Sequence, residues 1–143
     1  MEKQEIIIYC DGGSRGNPGP AASAFVVTQD GNVIHKGSKF LGNETNNVAE
    51  YTAVLLAVEW LTKQFPISNF QFPIIINLDS QLVERQLNGK YKIKNEKLKV
   101  LYDQIKNLIS KFEFPISFNW GYRASNTLAD DLVNEELDRN SSR

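Results

Sequence analysis

The chain has 143 residues, of which 41% are hydrophobic and 23% charged, with a formal net charge of −1. That length suits one domain with one core, and the balanced charge excludes a generically basic nucleic-acid binder. No apolar run reaches the roughly 20 residues needed to cross a membrane, and the single cysteine, Cys10, excludes an internal disulfide or a cysteine-based zinc cluster.

Residues 5 to 10 read as a buried strand, short and rich in isoleucine. Residues 12 to 20 carry four glycines and two prolines and read as a loop. Residues 22 to 28 form a second strand. Asp30-Gly31 is a strong hairpin signal, so residues 33 to 40 return antiparallel. Thr45-Asn46-Asn47 supplies capping side chains for a helix over about 48–63. That helix is apolar most of the way round and is expected to be buried, Trp60 included. Pro66 ends it. Residues 72 to 78 make a fourth strand. Ser80 caps a short helix through Gln86 or Leu87, stopped by Asn88-Gly89. A helix over about 96–111 has Leu98, Leu101, Tyr102, Ile105, Leu108 and Ile109 at helical spacing. Residues 115 to 120 make a fifth strand. Ser125 or Asn126 caps a last helix ending near residue 139, and residues 140–143 are expected to fray. The order β-β-β-α-β-α-α-β-α predicts one α/β domain over residues 1–143, a five-stranded mixed sheet with helices packed on it.

Four carboxylates sit awkwardly in this plan. Asp11 and Asp79 end apolar strands, Glu50 opens the buried helix and Asp130 lies early in the last one. Acids pressed against core elements cost several kcal/mol each unless neutralised. No run of Lys or Arg adjoins any of them. A bound divalent cation is the economical answer, and it points to an enzyme. Elsewhere, Arg85, Lys90, Lys92, Lys94, Lys97 and Lys99 crowd a stretch whose only acids are Glu84 and Glu96. They form either a solvated basic face or a contact for a phosphate backbone.

The surroundings of the four acids carry a family resemblance. They are Asp11-Gly12-Gly13-Ser14-Arg15-Gly16-Asn17-Pro18-Gly19, Thr45-Asn46-Asn47-Val48-Ala49-Glu50, Asp79-Ser80-Gln81-Leu82-Val83 and Asn126-Thr127-Leu128-Ala129-Asp130. In this order and spacing they resemble type 1 ribonuclease H over nearly the whole chain, from about residue 4 to 137. The resemblance implies a ribonuclease H-like fold and hydrolysis of the RNA strand of RNA/DNA hybrids, leaving 5′-phosphate and 3′-hydroxyl ends. It implies Asp11, Glu50, Asp79 and Asp130 as catalytic, metal-binding acids for two Mg²⁺ ions, with Mn²⁺ as a substitute. Oxygen ligands suit such hard cations. Glu50, read on the first helical turn, is also favoured as an anion by the helix dipole. Asp131 is the neighbouring alternative, and the Asn-x-x-Ala-Asp match selects Asp130.

Substrate contacts carry over in the same way. Asn17, Asn46 and Gln81 match positions that read the minor groove and the 2′-hydroxyls of a hybrid. The bland readings are a turn residue for Asn17 and helix capping for Asn46 and Asn47. Thr45 and Asn95 match positions that grip a phosphate of the DNA strand. Gly12, Gly13, Asn47, Ser80, Arg123 and Asn126 complete the expected substrate-binding set.

The chain also departs from the family. Well-studied bacterial members carry a histidine in a loop before the last acid, whereas residues 120–125 contain none. The only histidine, His35, reads as a partly exposed sheet residue. The short loop with Arg123 resembles an archaeal-like subgroup. The phosphate pocket's arginine is replaced by Asn43, and the segment 85–99 is too short for the basic handle of some members. Cys10 reads as a small buried hydrophobe rather than a redox centre. With no hybrid-binding domain before residue 5, processivity is expected to be low. A monomer in the cytoplasm, with no membrane or obligatory protein partner, completes the expectation. Two other readings keep the fold: cleavage of duplex RNA or RNA–DNA junctions, and a non-catalytic hybrid-binding module.

Overall fold

Alternation of apolar and small residues builds the sheet. A computed structural model of the chain describes residues 5–64, 73–112, 115–121 and 126–141. Its strands are β1 (Ile6–Ser14), β2 (Gly19–Gln29), β3 (Asn32–Glu44), β4 (Ile74–Leu78) and β5 (Ile116–Trp120). Its helices are α1 (Asn46–Gln64), α2 (Gln81–Leu87), α3 (Glu96–Ile109) and α4 (Thr127–Arg139). The sheet order is β3-β2-β1-β4-β5. β1, β2 and β3 form an antiparallel meander, while β1, β4 and β5 run parallel. This is the mixed sheet expected from the sequence. Pro66, residue 72, Arg123, Ser125 and the last two residues lie outside the described residues.

Period-2 alternation sends each strand's side chains to two different layers. Ile6, Ile8, Cys10, Phe25, Val27, Ile74 and Ile76 face the main core, with Tyr51, Val54, Val58 and Leu61 of α1 and Leu98 and Ile105 of α3. Fully burying each such aliphatic side chain contributes about 1.5–3 kcal/mol. α1 touches the sheet on one side and α3 on the other, which explains why it is apolar around most of its circumference. The intervening residues Ala22 and Ala24 face the opposite layer, where Val133 and Leu137 of α4 pack with Phe40 and Leu132. Trp60 is only half-buried, on the margin of the core. It stacks on His35 at 4.8 Å between ring centres, and Phe25 lies beside both rings.

Three boundaries differ from expectation in ways that matter. Gly12-Gly13 does not break β1. The ladder continues through Gly12↔Ser23, Gly13↔Ala22 and Ser14↔Ala21, because small residues on β2 accept an extended glycine pair. The parallel ladder with β4 stops at Cys10↔Leu78. Asp11 is therefore the first residue of β1 to outrun its neighbour. Second, α1 begins at Asn46, so Glu50 is its fifth residue and no acid lies in the first turn. The dipole effect fades within that turn and gives Glu50 little. Asp130 is the acid that occupies a first turn, that of α4. Third, hydrogen bonds continue past the end of α4: Asn140 Nδ2 donates to the Glu136 carbonyl at 2.8 Å and Ser141 Oγ to that of Asp138 at 3.0 Å.

A candidate catalytic cleft

At the carboxyl ends of parallel strands, chain directions diverge and leave a crevice where α/β proteins bind ligands. Here β1 and β4 open a cleft of about 570 Å³, lined by Asp11, Glu50, Asp79 and Asp130 from four separate elements. Asp11 projects from β1 and is almost fully buried. Asp79 directly follows β4, Glu50 comes from α1 and Asp130 from the start of α4. Asp131 is exposed and does not line the cleft, so Asp130 is the one of the two that faces it.

The approach of α1 depends on Gly12. A Cβ there would lie 2.3 Å from the carbonyl carbon and oxygen of Ala49. Ser23, opposite Gly12, donates its hydroxyl to that same carbonyl at 2.5 Å. Glycine on β1 and serine on β2 thus pull the start of α1 onto the sheet and bring Glu50 toward Asp11. Gly12→Ala is expected to cost about 1–3 kcal/mol through overpacking against backbone. A thermal melt would show the loss, and activity should fall further because Glu50 is displaced.

Asparagines stitch the rim. Asn46 Oδ1 accepts from the backbone N–H of Ser14 at 2.8 Å and from its hydroxyl at 3.0 Å. Asn17 Oδ1 accepts from the Asn46 N–H at 3.0 Å. The short 15–18 loop is thereby fixed to the start of α1. Capping falls to Thr45, whose Oγ1 accepts from the Val48 N–H at 3.2 Å. Ser80 caps α2 through the Val83 N–H, and Asn95 caps α3 through the Leu98 N–H.

The electrostatics of the cleft disfavour an anion at Asp11. The Asp11 carboxyl is pushed up from an ordinary 3.8 to about 8. Burial is the main cause, followed by the charge of Asp79, then by a hydrogen bond and charge from Asp130, and by Glu50. Among the described residues, no three acids stand close enough to form a ready-made metal cage. The donor set nevertheless fits a hard cation: it is all oxygen, and the crowding of acids helps to raise the Asp11 carboxyl. Mg²⁺ commonly takes only one or two carboxylates and completes its shell with water and phosphate.

Not every expected residue reaches this cleft. Gly12, Gly13, Asn17, Asn46, Asn47 and Ser80 line it with the acids. Thr45, Gln81 and Asn95 stand outside its lining, and Arg123 lies outside the described residues. Asn126 is a correction. It is fully buried, so it offers no surface to a substrate, and its side chain does not cap α4. Ser14, Arg15, Val133, Asn134 and Leu137 also line the cleft. The last three were legible as the positions three, four and seven after Asp130. Cys10 is buried beneath the site, its thiol 3.7 Å from the Ala53 carbonyl. Burial, then the Asp11 charge, pushes that thiol upward, which makes it inert.

The basic stretch behaves unevenly. Glu84 is buried, bonded to Asn88 Nδ2 at 2.6 Å and to Arg85 at 3.2 Å. Neither Glu84 nor Arg85 therefore shapes the surface field. Lys90, Lys92, Lys94 and Lys99 surround a surface hollow with Tyr91 and Tyr102, and Lys97 pairs with Glu44.

Comparison with known proteins gives the same picture. The model of the reverse transcriptase-like family matches residues 9–136. LC11-RNase H1, solved in complex with an RNA/DNA hybrid, is 40% identical, with a TM-score of 0.89 over 94% of this chain and 98% of that one. RNase H1 from the halophilic archaeon Halobacterium salinarum is 38% identical, with a TM-score of 0.84 over 94% and 98%. A bifunctional protein of Mycobacterium tuberculosis is 38% identical over 136 residues, which are 94% of this chain but 36% of that protein. The chain thus spans about a third of that curated relative. By family model, sequence and fold, the chain belongs to the reverse transcriptase-like family as a type 1 ribonuclease H domain.

Proposed function

We propose that this chain hydrolyses the RNA strand of RNA/DNA hybrids, leaving 5′-phosphate and 3′-hydroxyl ends, with Asp11, Glu50, Asp79 and Asp130 as its catalytic acids. The observation that carries this reading is the meeting of four acids from four segments in one cleft, where burial first, and the neighbouring acids after it, raise Asp11 to about 8. A binding module gains nothing from negative charge aimed at a phosphate backbone. Asp11, Glu50, Asp79 and Asp130 would hold two Mg²⁺ ions, or Mn²⁺ in their stead, which would supply charge stabilisation and a more acidic water. That a related enzyme was solved with a hybrid supports the same substrate here.

The chain's own residues orient the duplex. Asn17 and Asn46 commit their carbonyl ends to the protein, so substrate recognition falls to their N–H₂ donors. Those donors, with Gln81 and Asn47, suit the 2′-hydroxyls displayed in a wide, shallow groove. Thr45 and Asn95 spend an oxygen each on capping and retain a hydroxyl and an amide donor for a DNA-strand phosphate. Both stand at helix N-termini, where anions are favoured. The lysines at 90, 92, 94 and 99 contribute attraction without sequence preference. Replacing all four with alanine is expected to weaken hybrid binding and flatten its salt dependence by roughly one unit of slope per lost phosphate contact. Binding titrations at two salt concentrations would measure it.

The deciding experiment compares cleavage of labelled RNA/DNA hybrid and duplex RNA by the purified protein in Mg²⁺ and in Mn²⁺. Hybrid cleavage in excess supports the proposal. Equal or faster cleavage of duplex RNA would move the chain to the alternative substrate, a reading favoured by Asn43 standing where the phosphate pocket's arginine is expected.

A further inference from the structure

Asn126 occupies the N-cap position of α4 and does not cap it. A capping asparagine is worth about 1 kcal/mol, so its diversion calls for a cause. Its Nδ2 donates to the Cys10 carbonyl at 2.6 Å, and its Oδ1 accepts from Asn77 Nδ2 at 3.1 Å. Asn126 is fully buried and Asn77 is 8% exposed. Two primary amides in a core layer are costly unless bonded to each other or to backbone. Here they are.

The connected positions matter more than the bonds. Cys10 immediately precedes Asp11 on β1. Asn77 lies two residues before Asp79 on β4. Asn126 lies four residues, about one turn, before Asp130 on α4. One amide chain thus joins the three segments that deliver three of the four acids. The end of β5 is fitted to it as well. Gly121 donates its N–H to the Leu78 carbonyl at 2.8 Å, and a Cβ on Gly121 would lie 2.6 Å from Asn77 Oδ1.

Resting on the proposed function, we infer that Asn77 and Asn126 are positioning residues whose amide pair fixes Asp130 against Asp11 and Asp79. Asp11 is paired within β1 and Asp79 directly follows the last paired residue of β4, but α4 has no ladder to either strand. The amide chain is a polar tether at its acid-bearing end. Without it α4 remains docked through Val133 and Leu137, while Asp130 loses its register with the other acids.

The test is calorimetric Mn²⁺ titration without substrate, alongside hybrid cleavage and thermal melts, for wild type, Asn77→Ala, Asn126→Ala and the double variant. Gly121→Ala adds a gentler perturbation, since its new methyl displaces only the end of the Asn77 side chain. Partners that orient metal-binding groups typically cost about 10- to 100-fold in affinity or activity when removed. Each single variant is therefore expected to bind Mn²⁺ about tenfold more weakly and to lose kcat, with KM for hybrid within about twofold. The double variant should be little worse than either single one. Gly121→Ala should shift in the same direction by less. Folded variants with wild-type Mn²⁺ affinity would overturn the positioning role and leave the proposed function standing. A wild-type protein that binds no Mn²⁺ would overturn both.

Discussion

Asp79→Asn is expected to lower hybrid cleavage by at least 100- to 1,000-fold, the usual loss when one preorganised electrostatic contributor is removed from a reacting centre. The substitution preserves shape and deletes one charge. Asp79 follows the last paired residue of β4 and lines the cleft, so the fold should survive. KM for the hybrid should change little, because the asparagines and lysines proposed to hold the duplex are untouched. Single-turnover cleavage with matched melting curves would measure both parts. Full activity in Asp79→Asn would end the four-acid assignment.

The second large effect is on stability. Asp11 is a carboxylic acid whose folded pKa is raised, from 3.8 to about 8. Between those values the folded state holds a proton that the unfolded chain has released. Stability from this group therefore falls as pH rises from about 4 to about 8, and then levels off. A tenfold difference in proton affinity between the folded and unfolded states is worth about 1.4 kcal/mol, so the full penalty at pH 8 is on the order of a few kcal/mol. In metal-free buffer at pH 8, Asp11→Asn should melt about 5–10 °C above the wild type, given a few degrees per kcal/mol at this size. The gap should shrink at pH 5. Mg²⁺ should raise the wild-type melting point and leave the variant nearly unmoved. A variant that melts below the wild type at pH 8 would mean that Asp11 is a stabilising anion.

These outcomes also show which parts of the structure a sequence discloses. The sheet was legible because Ile6, Ile8 and Phe25, Val27 alternate against a core, and Asp30-Gly31 permits a turn in which both residues take positive φ, 50° and 86°. The four acids were legible because charge at the end of an apolar run has few cheap explanations. What was not legible was cooperative. Gly12-Gly13 reads as a break in isolation and becomes strand only because Ser23, Ala22 and Ala21 complete its ladder. Asn126 carries the residue type of a cap, and only tertiary contact shows it bonded elsewhere. Glu84 reads as a solvated acid in a lysine-rich stretch until Asn88 and Arg85 enclose it. In each case local propensity was overruled by a partner distant in space or hidden by the helical turn.

The thinness of the α4 layer has its own consequence. The main core engages three helices and four strands, whereas α4 rests on Ala22 and Ala24 through Val133 and Leu137, with Phe40 and Leu132 beside them. Ser38 bonded to Glu136 at 2.8 Å and Arg15 paired with Asp138 at 2.7 Å add exposed polar ties, each worth little. Elements with few buried contacts open at a lower free energy than the whole molecule. The last acid is therefore mounted on a thinner layer than the one that carries Asp11 and Asp79, with the Asn126 amide as its buried polar tie. Loosening of that layer is expected to cost activity before it costs the sheet, so hybrid cleavage should fall at a lower temperature than the main melting transition when the two are recorded side by side.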